Sequence, residues 1–404
     1  MCGIIAVLRR TSQIQPPAPA TILAQLVEAE GNLAGAPTTG HLDAAATALK
    51  ALDQQLRGVA GLWTLLENGD LLADLESRSA AMQARLESIE RGFDSGVAND
   101  IDDHDLELRN QAMVRLKDAL WAVARDRAPH ARQVITLAAG KVPHQNAAAA
   151  FSSLQLALSA LDRLEVRGRD SAGISVVVSG IDTDGGPLRT LLAGRAQDEL
   201  FCNNAVRLAN GNLNFVYKHA AEIGELGDNV NALRDSIIND ALLQAAFRQP
   251  EVQSLALGHT RWASVGIISQ PNAHPLNNQE TADNHQGPYV IGALNGDVDN
   301  HHDLVSQHGL QLHDAITTDA KVIPALISRQ MAAGHDLISA FQRTVSSFEG
   351  SVAVGAASTQ EPSKLALALR GSGQALYIGL ASDTFVIASE PYGVIEDCDR
   401  YLRM

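Results

Sequence analysis

The chain has 404 residues, 46% of them hydrophobic and 19% charged, with a formal net charge of −15, which allows two or three domains and a large core. That acidity argues against nucleic acid or an anionic membrane as a partner, since both call for clustered Lys and Arg, and no apolar run approaches the ~18 residues of a membrane span. Three scattered cysteines, Cys2, Cys202 and Cys398, exclude a disulfide framework, and with no basic, apolar and small-residue leader at the start the expected compartment is the cytoplasm.

Residues 3–8, GIIAVL, read as a buried strand closed by Arg9, Arg10 and the loop QPPAPA. From about residue 20 to 145 the chain is poor in β-branched residues and helical in character. Within it Leu72, Leu75, Ser79, Met82, Leu86, Ile89 and Phe93 recur at spacings of three and four, a heptad-like stripe. The polar stretch DSGVANDIDDHD interrupts the pattern, and Leu106, Met113, Leu116, Leu120 and Val123 resume it. Two amphipathic helices around a polar loop predict an antiparallel hairpin packed through these stripes. The region shows no catalytic constellation, so its expected role is structural or an interaction surface.

From residue 150 onward the texture changes to short strands with turn punctuation. SAGISVVVSG, DTDGG and PLRTLLAG predict a hairpin whose turn is supplied by Asp184, Gly185 and Gly186. A polar helical stretch, AAEIGELGDNVNALRDSIINDALLQAAF, comes next. After Pro250 the pieces SLALGHTRW, YVIGALNG, SVAVGAAS, LALALRG, ALYIGLAS and TFVIASE read as strands. With helices at 152–165 and about 318–333 they indicate a layered α+β architecture. No GxGxxG or GxxxxGK[ST] string supports a dinucleotide or P-loop site.

Five short strings in this part stand in order behind the N-terminal MCGI: LEVRGRDSAGI (164–174), GHTRWASVG (258–266), NAHP (272–275), LNGD (294–297) and TTDAKVI (317–323). Each alone is weak, and LNGD is a good turn on propensity. Together they resemble the class II glutamine amidotransferase domain, whose members hydrolyse glutamine with an N-terminal cysteine. Within that class they look most like the glutaminase domain of the glutamine–fructose-6-phosphate aminotransferases (glucosamine-6-phosphate synthases), which read close to LEYRGYDSAG and GHTRWATHG. The resemblance implies a four-layer αββα N-terminal-nucleophile hydrolase sandwich spanning 1–404, interrupted by a long helical insertion, 11–149, and a smaller helical one, 203–252. Loop-closure cost grows slowly enough with length to tolerate such insertions.

The chemistry explains the residue types. Once Met1 is removed, Cys2 carries a thiol, with a reference pKa near ~8.5, beside a free α-amine near ~8, and the amine can take the thiol proton. By resemblance, the Asn295 side chain and the Gly296 N–H form the oxyanion site, with a plain Asn-Gly turn as the competing reading. Arg261 is expected to clamp the α-carboxylate of L-glutamine and Asp319 to accept from its α-ammonium. Asp319 also reads as a helix-start acid capped by Thr317 or Thr318. Trp262 and Ser264 join the substrate pocket, 263–275 forms a mobile lid, and Arg167, Asp170 and His274 brace the site from behind. Ser264, Val265 and Arg169 depart from the family's Thr, His and Tyr, which leaves any polar role at 265 and 169 open.

His274, His285, His301, His302, His308 and His313 lack metal-ligand spacing, so no metal is expected and no cofactor is implied. Cys202 and Cys398 read as small buried fillers. The family passes its ammonia to sugar-isomerase domains that aminate fructose 6-phosphate; these lie outside the 404 residues, so the chain is expected to be a piece of a longer polypeptide or to work with a partner, and self-association stays open. An amidophosphoribosyltransferase or asparagine synthetase would share the cysteine and Asn-Gly logic, but RGRDSAGI and HTRWA lean away from both. A cysteine acylase acting on other amides would not need Arg261 with Asp319. An inactive glutaminase fold serving as a helical interaction module is the non-enzymatic alternative.

Overall fold

The computed structural model describes residues 2–10, 12–94, 103–195, 198, 200–221, 225–281, 287–395 and 397–404. The strands are β1 (Gly3–Arg9), β2 (Ser171–Ser179), β3 (Val206–Ala209), β4 (Asn212–His219), β5 (Gln253–Arg261), β6 (Leu276–Asn277), β7 (Val290–Gly296), β8 (Val352–Ser358), β9 (Leu365–Arg370), β10 (Tyr377–Leu380), β11 (Thr384–Ala388) and β12 (Tyr401–Arg403). They form an antiparallel eight-stranded sheet in the order β12-β10-β11-β1-β5-β2-β4-β3 and a four-stranded sheet in the order β6-β7-β8-β9. β1 lies between β11 and β5 and is covered on both faces, which is why its sequence is a continuous apolar run rather than an alternating one.

The helices are α1 (Pro19–Asn32), α2 (Thr39–Leu56), α3 (Gly58–Glu67), α4 (Gly69–Asp94), α5 (Asp103–Trp121), α6 (Ala128–Leu137), α7 (Gln145–Leu164), α8 (Gly186–Ala193), α9 (Asp228–Ile238), α10 (Ala241–Phe247), α11 (His301–His308), α12 (Val322–Ala332) and α13 (Leu337–Ser346). The chain divides into two compact units. One comprises the first residues, Leu137–Ala139 and Ala149–Met404, and the other comprises Ser12–Thr136 and Gly140–Ala148.

The first unit is layered. Between its sheets, Ile4, Ala6, Val216, Leu255 and Leu257 pack against Ile291, Ala293, Ala353 and Ala357. On the far face of the smaller sheet, Leu294, Val352 and Val354 meet Ile323, Leu326 and Ile327 of α12 and Phe341 of α13. On the far face of the larger sheet, Leu161 and Leu164 of α7 press onto Gly258 and Gly3, and α9 covers β2 and β4. The result is an α+β fold in α-β-β-α order. Each fully buried Leu or Ile contributes about 1.5–3 kcal/mol, so these continuous layers fix the strand ends that carry the site.

The second unit is all helical. Leu72, Leu75, Ser79, Met82, Leu86 and Ile89 of α4 are buried, as the stripe predicts; the Phe93 side chain lies outside the described residues, as does most of DSGVANDIDDHD. α5 buries Met113, Leu116 and Leu120, whereas Leu106 is exposed. The expected two-helix hairpin is replaced by a larger bundle in which α5 packs chiefly on α2 and only slightly on α4. α1 buries Ile22, Leu26 and Ala29, and α2 buries Leu42, Ala45, Leu49 and Leu52. Among the described residues no helix is long and apolar enough to cross a membrane.

Two strand-level expectations change. PLRTLLAG forms α8 instead of a returning strand, because Pro187 fits the first helical turn and has no N–H to offer a ladder. β2 pairs instead with β5 and β4. The 203–252 stretch, expected to be helical, opens with the β3–β4 hairpin before α9 and α10 begin. Its turn is Asn210-Gly211, both with positive φ (55° and 73°). Such a pair matches the twist of a two-residue hairpin.

Candidate active site

Antiparallel pairing of Gly3 with Thr260 carries Cys2 to the end of β5, beside Arg261 and Trp262. The thiol donates to Trp262 O at 3.4 Å and accepts from the Trp262 N–H at 3.3 Å. Burial raises the Cys2 thiol above its ordinary value, with the Trp262 backbone hydrogen bond pulling it partly back. A thiol in this setting needs a base to become a nucleophile.

β7 ends at Asn295-Gly296, which pair with Ala353 and Val352 of β8, so the Asn295 side chain is held at a strand end and the site is not a free turn. Gly296 has φ +114°, and a Cβ built there would sit 1.9 Å from Ser351 O. Gly296→Ala is therefore expected to destabilise the protein by more than about 2 kcal/mol, through backbone strain and a clash that no side-chain rotation relieves. Thermal or denaturant unfolding checks this. Just beyond, Asp297 Oδ1 accepts from Ser264 Oγ at 2.6 Å, linking the loop after β5 to the loop after β7.

Arg261 is only 2% exposed. Its guanidinium donates to the carbonyls of Val265, Gly266 and Ile267, while Ile267 N–H donates to Thr317 Oγ1 at 3.1 Å. The start of the 263–275 segment is thus tied down from both sides in this state. Burial lowers the Arg261 pKa, and Cys2, Asp319 and Asp170 counter that shift as its electrostatic neighbours. Asp319 accepts from Val298 N–H at 2.7 Å and from Thr318 Oγ1 at 3.3 Å, and burial raises its pKa. The Thr cap expected for this acid is absent: Thr318 makes no side-chain cap bond, and Asp319 begins a 3-10 turn, Asp319–Lys321, that leads into α12.

Asp170 braces the strand end from behind. Its N–H donates to Arg261 O at 3.1 Å, and its Oδ2 accepts from Ala263 N–H at 2.7 Å. Arg167 pairs with Glu390. Trp262 is 60% exposed and stands at the open side.

No family model matches the chain. Over 253 residues the chain is 27% identical to a glutamine–fructose-6-phosphate aminotransferase (isomerizing) of Bacillus thuringiensis subsp. konkukian, covering 62% of this chain and 32% of that protein. It is 32% identical over 155 residues to the protein of the same name from Xylella fastidiosa, covering 38% of this chain and 23% of the relative. These similarities support a class II glutamine amidotransferase domain in this chain. A glutamine phosphoribosylpyrophosphate amidotransferase from B. subtilis superposes with a TM-score of 0.38 at 21% identity, over 62% of this chain and 42% of that one. The match spans about a third of the length of the curated relatives.

Strings that are far apart in sequence converge here: Arg261 and Asp297 are electrostatic neighbours of Cys2, and Asp319 is a neighbour of both Arg261 and Asp297. His274 lies in the same region, against Thr318 and Leu294. Sequence reasoning singled out the GHTRW string but not His259 itself, which is fully buried with Nε2 at 2.7 Å from Leu294 O. It also passed over Lys321, a buried lysine that donates to Asn277 O and Oδ1; the signal available was its place in TTDAK, directly after Asp319. Among the described residues no group of three or more His, Cys, Asp or Glu is placed to hold a metal. His301 and His302 stack on each other at 4.0 Å at the start of α11, and His285 lies outside the described residues. Cys398 is buried and Cys202 half-buried, where burial raises the Cys202 thiol to about 11.

Proposed function

We propose that this amidotransferase domain hydrolyses L-glutamine to glutamate and ammonia through a Cys2 thioester. The observation that carries the reading is the Cys2 thiol held between the N–H and C=O of Trp262, with Arg261 beside it and Asp319 next to Arg261. Met1 lies outside the described residues, and its removal is part of the proposal. The freed α-amine then takes the thiol proton, and the sulfur attacks the side-chain amide carbon of glutamine. Negative charge builds on the amide oxygen, where the Asn295 side-chain N–H and the Gly296 N–H receive it. Collapse expels ammonia, with the ammonium of Cys2 returning the proton, and water then hydrolyses the thioester.

Recognition needs one cation and one anion. Arg261 has five N–H donors, so those on the 265–267 carbonyls leave others for the α-carboxylate. Asp319 receives the α-ammonium, and Trp262 and Ser264 wall the pocket. Asp319→Asn keeps the hydrogen-bonding shape but loses the charge, so the KM for glutamine should rise about 10- to 100-fold, with kcat changing far less, in steady-state kinetics. The relatives' name motivates the finer reading, in which the ammonia aminates a sugar phosphate, with sugar-isomerase domains of the same polypeptide or a partner supplying the second half-reaction. The test is ammonia and glutamate release from L-glutamine by protein whose N-terminal mass shows Cys2 as the first residue. Absence of release from such protein would refute the reading.

A further inference from the structure

His259 and His274 take part in none of the steps above, yet both grip the backbone of Leu294, the residue just before Asn295. β6 is only two residues long, and its ladder with β7 runs out at Leu276 opposite Gly292. Two residues further along β7, Leu294 has no strand neighbour on that side among the described residues, and the two imidazoles stand in for one. Leu294 O lies 2.7 Å from His259 Nε2; a carbonyl only accepts, so that nitrogen carries the proton. Leu294 N–H donates to His274 Nδ1 at 3.4 Å. That nitrogen is therefore bare, and the proton on Nε2 faces Thr318 Oγ1 at 3.3 Å. The Thr318 hydroxyl in turn donates to Asp319 Oδ1. The rings lie 4.4 Å apart, and Gly173 makes room for this arrangement, since a Cβ there would meet His274 O at 2.4 Å. Burial keeps both rings neutral, lowering His259 to about 3 and His274 well below its ordinary value.

We infer that His259 and His274 are positioning residues: they hold Leu294 by its C=O and its N–H, so aiming the Asn295 amide and the Gly296 N–H, and His274 ties that strand end to Asp319. The inference rests on the glutaminase reading proposed above. Oxyanion donors act only when correctly placed, and a displacement near 1 Å costs on the order of 10²-fold in rate. The test is steady-state glutamine hydrolysis by the full chain. His259→Leu removes the bond to Leu294 O and should lower kcat about 10- to 100-fold, with KM within about threefold. His259→Gln, which restores an N–H donor, should recover most of that loss. His274→Asn keeps an acceptor for Leu294 N–H but drops the link to Thr318, so KM should rise about tenfold while kcat holds within about threefold. This variant, with His259→Gln, carries the test if His259→Leu does not fold. Wild-type kcat in His259→Leu, no recovery with Gln, or a fall in kcat alone in His274→Asn would each overturn the inference while wild type stays active. An inactive wild type with a processed N-terminus would overturn the glutaminase reading and this inference with it.

Discussion

Cys2→Ala should abolish ammonia release from glutamine, lowering kcat at least about 10³-fold, because it removes the sulfur on which the proposed acyl intermediate forms. The residual rate measures what binding and the oxyanion donors achieve with water alone. Cys2→Ser should be nearly as inactive, since a hydroxyl is much harder to ionise than a thiol. Folding should be spared, because Cys2 precedes β1 and its thiol contacts only the Trp262 backbone by hydrogen bonds; matching melting curves for wild type and variant would check this. The pH profile gives a second handle. The reactive form is the thiolate, and burial raises the Cys2 thiol pKa, so protonation dominates at low pH. On its acid side, kcat/KM should therefore climb with pH as the proton leaves the thiol–amine pair. A flat profile through neutrality would contradict the assigned base.

Asn295→Ala is the second large effect. In the proposed reaction it deletes a donor for the developing oxyanion while leaving the Asn295–Ala353 backbone pairing in place. Removing one such donor costs about 10² to 10³ in kcat. Because the charge exists only in the transition state, KM should move little. Steady-state kinetics with glutamine, together with a folding check, decides the matter. An equal loss through KM would indicate that Asn295 holds the ground-state substrate and does not serve the reaction's charge.

The candidate site residues stand in strings that are short and local. MCGI, HTRW, LNGD and TTD carry a thiol, a cation, an amide beside a glycine, and an acid. The α+β class was legible for a similar reason: apolar runs and turn residues report local structure over a few positions. Sequence and structure part where local signals compete. Pro187 and its leucines read as a returning strand but form α8, and the Asn210-Gly211 turn lies inside a stretch that reads as helical.

By itself, then, the sequence determined which reactive groups the protein owns and the order in which they occur along the chain. Only the tertiary structure decided what they touch. Strand pairing joins residues hundreds of positions apart, and nothing in the local pattern sets that register. The pairing of Gly3 with Thr260 puts the Cys2 thiol on the Trp262 backbone. The shortness of β6 leaves Leu294 to two buried histidines. Asp319, which reads locally as a capped helix start, turns its carboxylate to the Val298 N–H because α12 packs beneath β7 and brings the two segments together.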